Sequence, residues 1–215
     1  MKRKIVCLGD SVTEGCFELY QTSYGFDTIR DKESCYVTRL GMLLGDGWEV
    51  VNAGVSGNNS RMAMERVEKD VTALKPEFCV VCLGLNDMTD LLERHQKHMS
   101  TIFAALRENG IKPVLLTPPV ACTYIHRGIT DYTRQAAEKI SAAQNAGNLD
   151  RIVESDRLLA KEYGTSVCDF YAFKTAQRLM GRDTTEDLSN YINHPSRDEH
   201  RIMAAMLYGL FLNCD

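Results

Sequence analysis

Short apolar runs alternate along the chain with longer segments in which apolar residues recur every three or four positions. Runs rich in Val, Ile, Leu and Cys predict buried strands, whereas the wider spacing predicts helices that bury one face. Polar or glycine-containing turns join the two kinds of segment. The predicted strands cover residues 4–8, 48–52, 78–83, 113–116 and 165–168.

Strands that alternate with helices through short connections pair in parallel by right-handed crossovers. The sequence therefore predicts an α/β fold, a three-layer α/β/α sandwich around a five-stranded parallel sheet. A single domain is expected over residues 1–215, because no linker, repeat or low-complexity segment interrupts the pattern. Residues 16–34 and 120–130 lack a clear period and are expected to be irregular loops, and the helical pattern over residues 131–163 is expected to break near Gly147.

Ser11 stands just beyond the first predicted strand, where a helix is expected to begin. A serine in this position can act as a nucleophile, because a helix N-terminus favours developing negative charge. It is also a common helix cap. The glycine-rich residues 52–57 and Asn86 follow two further strands, and His194 precedes the last helix. All of them fall at the edge where the carboxyl ends of parallel strands meet, which favours the nucleophile.

Four sequence blocks, taken in order, resemble the SGNH hydrolases, also called the GDSL family of esterases and lipases. The blocks are Gly9-Asp10-Ser11-Val12, residues 52–57, Gly84-Leu85-Asn86-Asp87 and His194-Pro195. The resemblance implies a flavodoxin-like α/β/α fold, with Ser11 as nucleophile and His194 as general base. It also implies an oxyanion hole formed by the backbone N–H groups of Ser11 and Gly57 and the side-chain amide of Asn86. Gly54 is the alternative to Gly57.

The last block departs from the family pattern, which places an aspartate three residues before the histidine. That position is Tyr191 in this chain. The imidazole could instead be oriented by the side-chain oxygen of Asn190 or Asn193, by Asp187, or by a backbone carbonyl near residue 191. We favour the carbonyl, which leaves a Ser–His dyad. A dyad fixes the tautomer of the histidine but lacks the negative charge that stabilises an imidazolium.

The resemblance implies a serine ester hydrolase that forms an acyl-enzyme and needs no metal or other cofactor. The expected partner is a small-molecule ester with a short acyl group, for which an O-acetylated carbohydrate is one candidate. Lysophospholipase or thioesterase activity is the alternative within the family, and a non-catalytic flavodoxin-like or carbohydrate-binding module is the alternative to an enzyme. The aromatic and polar residues 17–26, with Tyr20 and Tyr24, would suit either a sugar ring or a narrow acyl pocket.

Charge, hydropathy and cysteine content limit the partners and the cellular location expected for the protein. A net charge of −4 leaves no basic footprint for nucleic acid or an anionic membrane surface. The first apolar run stops at Asp10, too early for a secretion signal, and no stretch has the length of a membrane span, so a cytoplasmic protein is expected. The eight cysteines are expected to be free thiols. Cys79 and Cys82 would point to opposite faces of one strand, and His95 and His98 lack a third ligand, so no metal site is expected.

Overall fold

A five-stranded parallel sheet forms the centre of the molecule, as the computed structural model of residues 2–212 shows. Its strand order is β4-β1-β5-β6-β7, which is the flavodoxin-like order with the first strand between its successors. The strands are β1 (Arg3–Gly9), β2 (Cys16–Thr22), β3 (Gly25–Arg30), β4 (Trp48–Gly54), β5 (Phe78–Cys82), β6 (Lys112–Leu116) and β7 (Ser166–Cys168). All five strands of the central sheet were predicted from their apolar runs, and the predicted fold class is confirmed.

Helices cover both faces of the sheet. They are α1 (Ser11–Glu14), α2 (Tyr36–Leu44), α3 (Ser60–Asp70), α4 (Leu92–Glu108), α5 (Asp131–Asn145), α6 (Asn148–Glu162), α7 (Phe170–Leu179) and α8 (Arg197–Phe211). The predicted break near Gly147 is present, because Gly147 has a φ of 73° and separates α5 from α6. The last helix was predicted to within one residue.

Alternation along the strands divides the core between the two faces of the sheet. In β1, Ile5 and Cys7 pack with residues of α2 and α8, whereas Val6 and Leu8 pack with residues of α3 and α4. Cys79 and Cys82 also lie in different layers of the core, as expected for positions three apart in a strand. Seven cysteines are buried and unpaired, and Cys214 lies outside the described residues.

Residues 16–34 are not an irregular loop, so that prediction was wrong. The segment contains the antiparallel hairpin β2–β3, which stands apart from the central sheet. The base of the hairpin is fixed by ion pairs from Arg30 to Glu14 and from Arg197 to Glu18 and Asp31. Most residues of the two strands are at least partly exposed, so the sequence carries too few fully buried positions to reveal a period of two.

No helix within residues 2–212 is both long and apolar enough to cross a membrane.

The close approach of β4 to α1 gives a direct test of the packing around the serine turn. A Cβ atom at Gly54 would lie 2.1 Å from the backbone nitrogen of Glu14, whereas one at Gly41 would meet only the Val50 side chain at 3.7 Å. Gly54→Ala should therefore lower the free energy of unfolding by about 1–3 kcal/mol. Gly41→Ala, inside α2, should change it by less than about 1 kcal/mol and towards greater stability. Urea denaturation of both variants makes the comparison, and equal stabilities would contradict the close contact.

Candidate active site

Ser11 is the first residue of α1, directly after the tight turn that ends β1. Asp10 caps this helix, because its Oδ1 accepts the backbone N–H of Val12 at 2.9 Å. Burial raises the pKa of Asp10 to about 7. Ser11 itself is almost fully buried, but it lines a cavity of about 440 Å³ at the carboxyl edge of the sheet.

His194 lies in the loop that precedes α8, and a compact hydrogen-bonded turn holds this loop. The side-chain oxygen of Asn190 accepts the backbone N–H groups of Ile192, Asn193 and His194, all at 2.9–3.0 Å. The backbone N–H of Ser189 donates to the carbonyl of His194 at 2.8 Å. The backbone position of the histidine is therefore set by its own loop.

The imidazole of His194 joins Ser11 to the first strand of the hairpin. Its Nε2 lies 3.0 Å from the Oγ of Ser11, and its Nδ1 lies 2.8 Å from the backbone oxygen of Phe17. A carbonyl oxygen only accepts hydrogen bonds, so Nδ1 carries the proton and Nε2 presents its lone pair to the serine hydroxyl. A histidine in this tautomer can take the hydroxyl proton when the serine attacks an electrophile.

The group that orients His194 is thus a backbone carbonyl, but not one near residue 191, so that location was wrong. Asp187 does not reach the imidazole, because its carboxylate accepts hydrogen bonds from Lys174 and Arg182. Asn190 acts on the backbone of the loop instead of on the ring, and the side-chain oxygen of Asn193 accepts a hydrogen bond from Asn190.

Tyr191, at the position of the family's aspartate, turns away from His194. Its ring stacks on His126 with 3.9 Å between centroids, and its backbone has a φ of 56°. A Cβ at Gly128 would lie 2.8 Å from the tyrosine ring, so Gly128 leaves room for this ring. The place beside the imidazole Nδ1 is taken by Phe17 from the hairpin.

His194 is 6% exposed, and burial lowers its pKa below the ordinary value of 6.5. The Phe17 carbonyl and the more distant carboxylates of Glu14 and Glu18 act in the opposite direction with smaller effect. The imidazole is therefore neutral at pH 7, which is the protonation state that a general base requires.

Three N–H donors come from the elements around the Ser11 cavity. The backbone N–H of Ser11, at the start of a helix, and that of Gly57 make no hydrogen bond within residues 2–212. The Asn86 amide donates to the carbonyl of Asn58 at 2.9 Å, and its distance of 3.5 Å to Asp10 Oδ2 is long for a hydrogen bond. Ser11, Gly57 and Asn86 all line the cavity, where such donors can bind an oxygen that carries negative charge.

Gly54, the alternative to Gly57 as an oxyanion donor, does not line the Ser11 cavity. Its backbone N–H donates to the side chain of Asn52 at 2.8 Å, and it packs against α1. Gly57 instead lines the cavity and has a φ of 78°, a conformation that favours glycine.

Comparison with known proteins places these residues in a family. The model of the GDSL-like lipase/acylhydrolase family matches residues 7–202. The chain belongs to this family. The match includes every block on which the sequence resemblance rested, from the serine block to His194.

Among curated relatives, an acetylxylan esterase of Geobacillus stearothermophilus is 32% identical over 108 residues, which are 45% of this chain and 46% of the relative. An acetylxylan esterase of Xylanibacter ruminicola is 26% identical, with 95% of this chain and 42% of the relative covered. The chain thus spans less than half the length of these relatives. The solved structure of a lipase/acylhydrolase from Enterococcus faecalis superposes on this chain with a TM-score of 0.73 and 20% sequence identity. The superposition covers 97% of this chain and 95% of the Enterococcus chain. That likeness shows a shared fold.

Asp87, next to Asn86, belongs to a buried polar network that the sequence did not reveal. The other members of the network are Ser60, His95 and Asp156. Asp87 does not cap the helix that follows it; its carboxylate accepts the backbone N–H and the hydroxyl of Ser60 at the start of α3. His95 lies between two carboxylates, with Nε2 2.9 Å from Asp156 and Nδ1 3.2 Å from Asp87. Only the Asp156 contact has hydrogen-bond geometry.

The histidine of this network is an internal cation. Although burial lowers the pKa of His95, the carboxylates of Asp156 and Asp87 outweigh it and raise the pKa to about 10. His98 points to the Ser60 hydroxyl, at 3.1 Å from its Nδ1, so the two histidines of α4 do not converge. Among the residues that the structure describes, no group of three or more His, Cys, Asp or Glu side chains is arranged to hold a metal ion.

Proposed function

We propose that the protein is a carboxylic ester hydrolase in which Ser11 is the nucleophile and His194 the general base. The observation that carries this proposal is the hydrogen-bonded series Ser11–His194–Phe17, with distances of 3.0 and 2.8 Å, at the edge of a cavity supplied with N–H donors. Membership of the acylhydrolase family supports it. A phosphate-binding or flavin-binding module would give His194 no reason to contact Ser11.

Acylation begins when the Oγ of Ser11 attacks the ester carbonyl carbon. His194 Nε2 takes the hydroxyl proton, and the carbonyl oxygen becomes an oxyanion that accepts hydrogen bonds from Ser11, Gly57 and Asn86. The tetrahedral intermediate collapses by breaking the bond to the leaving alcohol, which receives the proton from His194. The products of this half-reaction are the free alcohol and an acyl ester of Ser11.

Deacylation repeats the same steps with water in place of serine. His194 takes a proton from water, the hydroxide oxygen bonds to the acyl carbon, and the Ser11 oxygen leaves with the proton returned by the imidazole. The carboxylic acid is released and the enzyme is regenerated. One ester and one water molecule are consumed in each cycle, and Ser11 and His194 are restored.

The proposed substrate is an ester with a short acyl group, an O-acetylated carbohydrate being the favoured case. The Geobacillus and Xylanibacter relatives are both acetylxylan esterases, although the match covers less than half the length of each relative. The cavity at Ser11 combines apolar side chains such as Leu19 and Ile140 with the amides of Asn190 and Asn193. A small acyl group and a hydroxylated alcohol both find suitable partners on such a surface.

The serine role is tested by Ser11→Ala. Without the nucleophile, kcat on 4-nitrophenyl acetate should fall by at least about a thousandfold. Ser23→Ala, at an exposed turn of the hairpin, is the matched serine control and should retain the activity of the native protein. Activity of Ser11→Ala at the native level would rule out the acyl-enzyme mechanism.

The variant Asp187→Asn distinguishes a Ser–His dyad from a triad in which the Asp187 carboxylate orients His194. Asp187→Asn weakens the buried contact with Lys174, which lies 2.6 Å away, so the free energy of unfolding should fall by about 1–3 kcal/mol. Because the carboxylate does not contact His194, kcat of the folded protein should stay within about tenfold of the native value. Denaturation curves and initial rates on 4-nitrophenyl acetate measure the two effects. A loss of several orders of magnitude in kcat would contradict orientation by the Phe17 carbonyl.

The pKa of His194 sets the acid limb of activity. Only the neutral imidazole accepts the Ser11 proton, and burial holds its pKa below 6.5. The value of kcat/KM should therefore rise with pH through an apparent pKa below 6.5 and then stay level around neutrality. Rates on an uncharged acetyl ester between about pH 4.5 and 8 measure the profile. An inflection clearly above 7 would mean that the histidine is not the base in this state.

A further inference from the structure

A second cavity, of about 320 Å³, lies beside the Ser11 cavity along the hairpin. Its walls come from the hairpin, from the start of α5 and from the turn that leads to His194. The lining residues are Glu18, Leu19, Tyr20, Gln21, Phe26, Gly128, Ile129, Thr130, Tyr132, Thr133, Ser189, Asn190 and Tyr191. None of them takes part in the proposed acyl transfer.

The two cavities adjoin each other. Leu19, Phe26 and Asn190 line both of them, so the hairpin and the His194 turn form a shared rim. A molecule whose ester carbonyl lies at Ser11 can therefore extend along this rim into the second cavity. The acyl half needs little space, so the part that extends is the alcohol half of the ester.

Aromatic rings line this path with much of their surface exposed. The exposed fractions are 50% for Phe26, 55% for Tyr132 and 46% for Tyr20. Three exposed rings around one concave surface indicate a binding site for a ligand with apolar faces. Tyr24, four residues beyond Tyr20 in the hairpin, is 100% exposed and lines neither cavity.

The polar groups of the second cavity are mostly neutral. They include the hydroxyls of Thr130 and Thr133 and the amide of Gln21, which has no hydrogen-bond partner in the part of the chain that the structure describes. No Lys or Arg is among the lining residues of either cavity, whereas Glu18 and Asp27 contribute carboxylates. Hydrogen bonds from Arg197 lower the pKa of Glu18, so its carboxylate is ionised at pH 7.

This chemistry selects among possible alcohol halves. A phosphate or a uronate would meet carboxylates and no lining Lys or Arg side chain, since Arg197 and Arg30 are paired with Glu18 and Asp27, and this is unfavourable in a partly desolvated cleft. A long alkyl chain would cover hydroxyl and amide groups without replacing their hydrogen bonds to water. A neutral sugar ring has apolar C–H faces for the aromatic rings and hydroxyls for the Thr and Gln side chains, so it suits both kinds of group.

We propose that the second cavity is a subsite for the neutral oligosaccharide portion of an O-acetylated substrate, with Tyr132 and Phe26 as its stacking residues. The proposal rests on the ester hydrolase function proposed above. The acetyl group is held at Ser11, and the sugar units next to the acetylated one occupy the groove along the hairpin. The esterase is then selective for acetylated oligosaccharides over acetylated monosaccharides.

The test compares mono-O-acetylated xylotriose with O-acetylated methyl xyloside and 4-nitrophenyl acetate. Native protein should show a kcat/KM on the trisaccharide ester roughly tenfold above that on the monosaccharide ester, the effect of one or two ring contacts. Tyr132→Ala should lower the ratio of kcat/KM on the trisaccharide ester to that on 4-nitrophenyl acetate by roughly three- to tenfold, mainly through KM. Tyr132→Phe, which keeps the ring, should restore most of it.

Tyr24→Ala is the matched control, because it removes a tyrosine from the same hairpin outside both cavities. It should keep the native ratio. Turnover of 4-nitrophenyl acetate by each variant reports that the protein is folded. Equal kcat/KM on the two sugar esters, or an unchanged ratio in Tyr132→Ala, would overturn the subsite.

A binding measurement separates the subsite from the ester chemistry. Calorimetric titration of unesterified xylotriose into the native protein should show saturable binding that Tyr132→Ala weakens and Tyr24→Ala does not. If xylotriose binds in this way but no acetyl ester is hydrolysed, the proposed function fails and the sugar site stands. If acetyl esters are hydrolysed but xylotriose binding is absent or unaffected by Tyr132→Ala, the subsite fails and the esterase stands.

Discussion

The hydrogen bond from His194 Nδ1 to the Phe17 carbonyl is the contact on which the site depends. It selects the tautomer that presents a lone pair to Ser11, and it joins the C-terminal part of the chain to the hairpin. Phe17 is fixed in turn, because its ring is fully buried and lies under the guanidinium of Arg197 at 4.4 Å. The same Arg197 binds Glu18 of the hairpin. The geometry of the histidine therefore relies on how β2 is held against α8.

A carbonyl differs from a carboxylate in what it does for an imidazolium. It holds the ring and accepts the Nδ1 proton, but it supplies a dipole instead of a full charge. The nearest negative charges acting on His194 are those of Glu14 and Glu18, and their effect is smaller than that of burial. At rest, His194 is thus neutral. Its protonated form is stabilised by the dipole of the Phe17 carbonyl and by the charges of Glu14 and Glu18.

The elements of the fold that were predicted are those with local signals. Strands buried on both faces give continuous apolar runs, and helices with one buried face give a regular spacing, so the sheet, its class and the edge that carries the polar residues follow from the sequence. The Phe17 contact had no such signal, because it joins residues 177 positions apart and uses a backbone oxygen that every residue possesses. The His95–Asp156 pair was missed for the same kind of reason, since its partners belong to different helices. The hairpin was missed because few of its residues are fully buried.

The presence of Tyr191 in place of an aspartate is linked to the hairpin, because Phe17 of the hairpin already contacts His194 Nδ1. With Phe17 occupying the position beside Nδ1, a carboxylate at residue 191 would compete for the same proton. Tyr191 instead adopts a φ of 56°, stacks on His126 and lines the second cavity. The hairpin thus orients His194 with one residue of β2 and forms a wall of the second cavity with the residues that follow. The position that carries the aspartate elsewhere in the family contributes here to the surface of the cleft. A change that shifts β2 should therefore disturb both the His194 contact and the second cavity, because this one strand contributes to both.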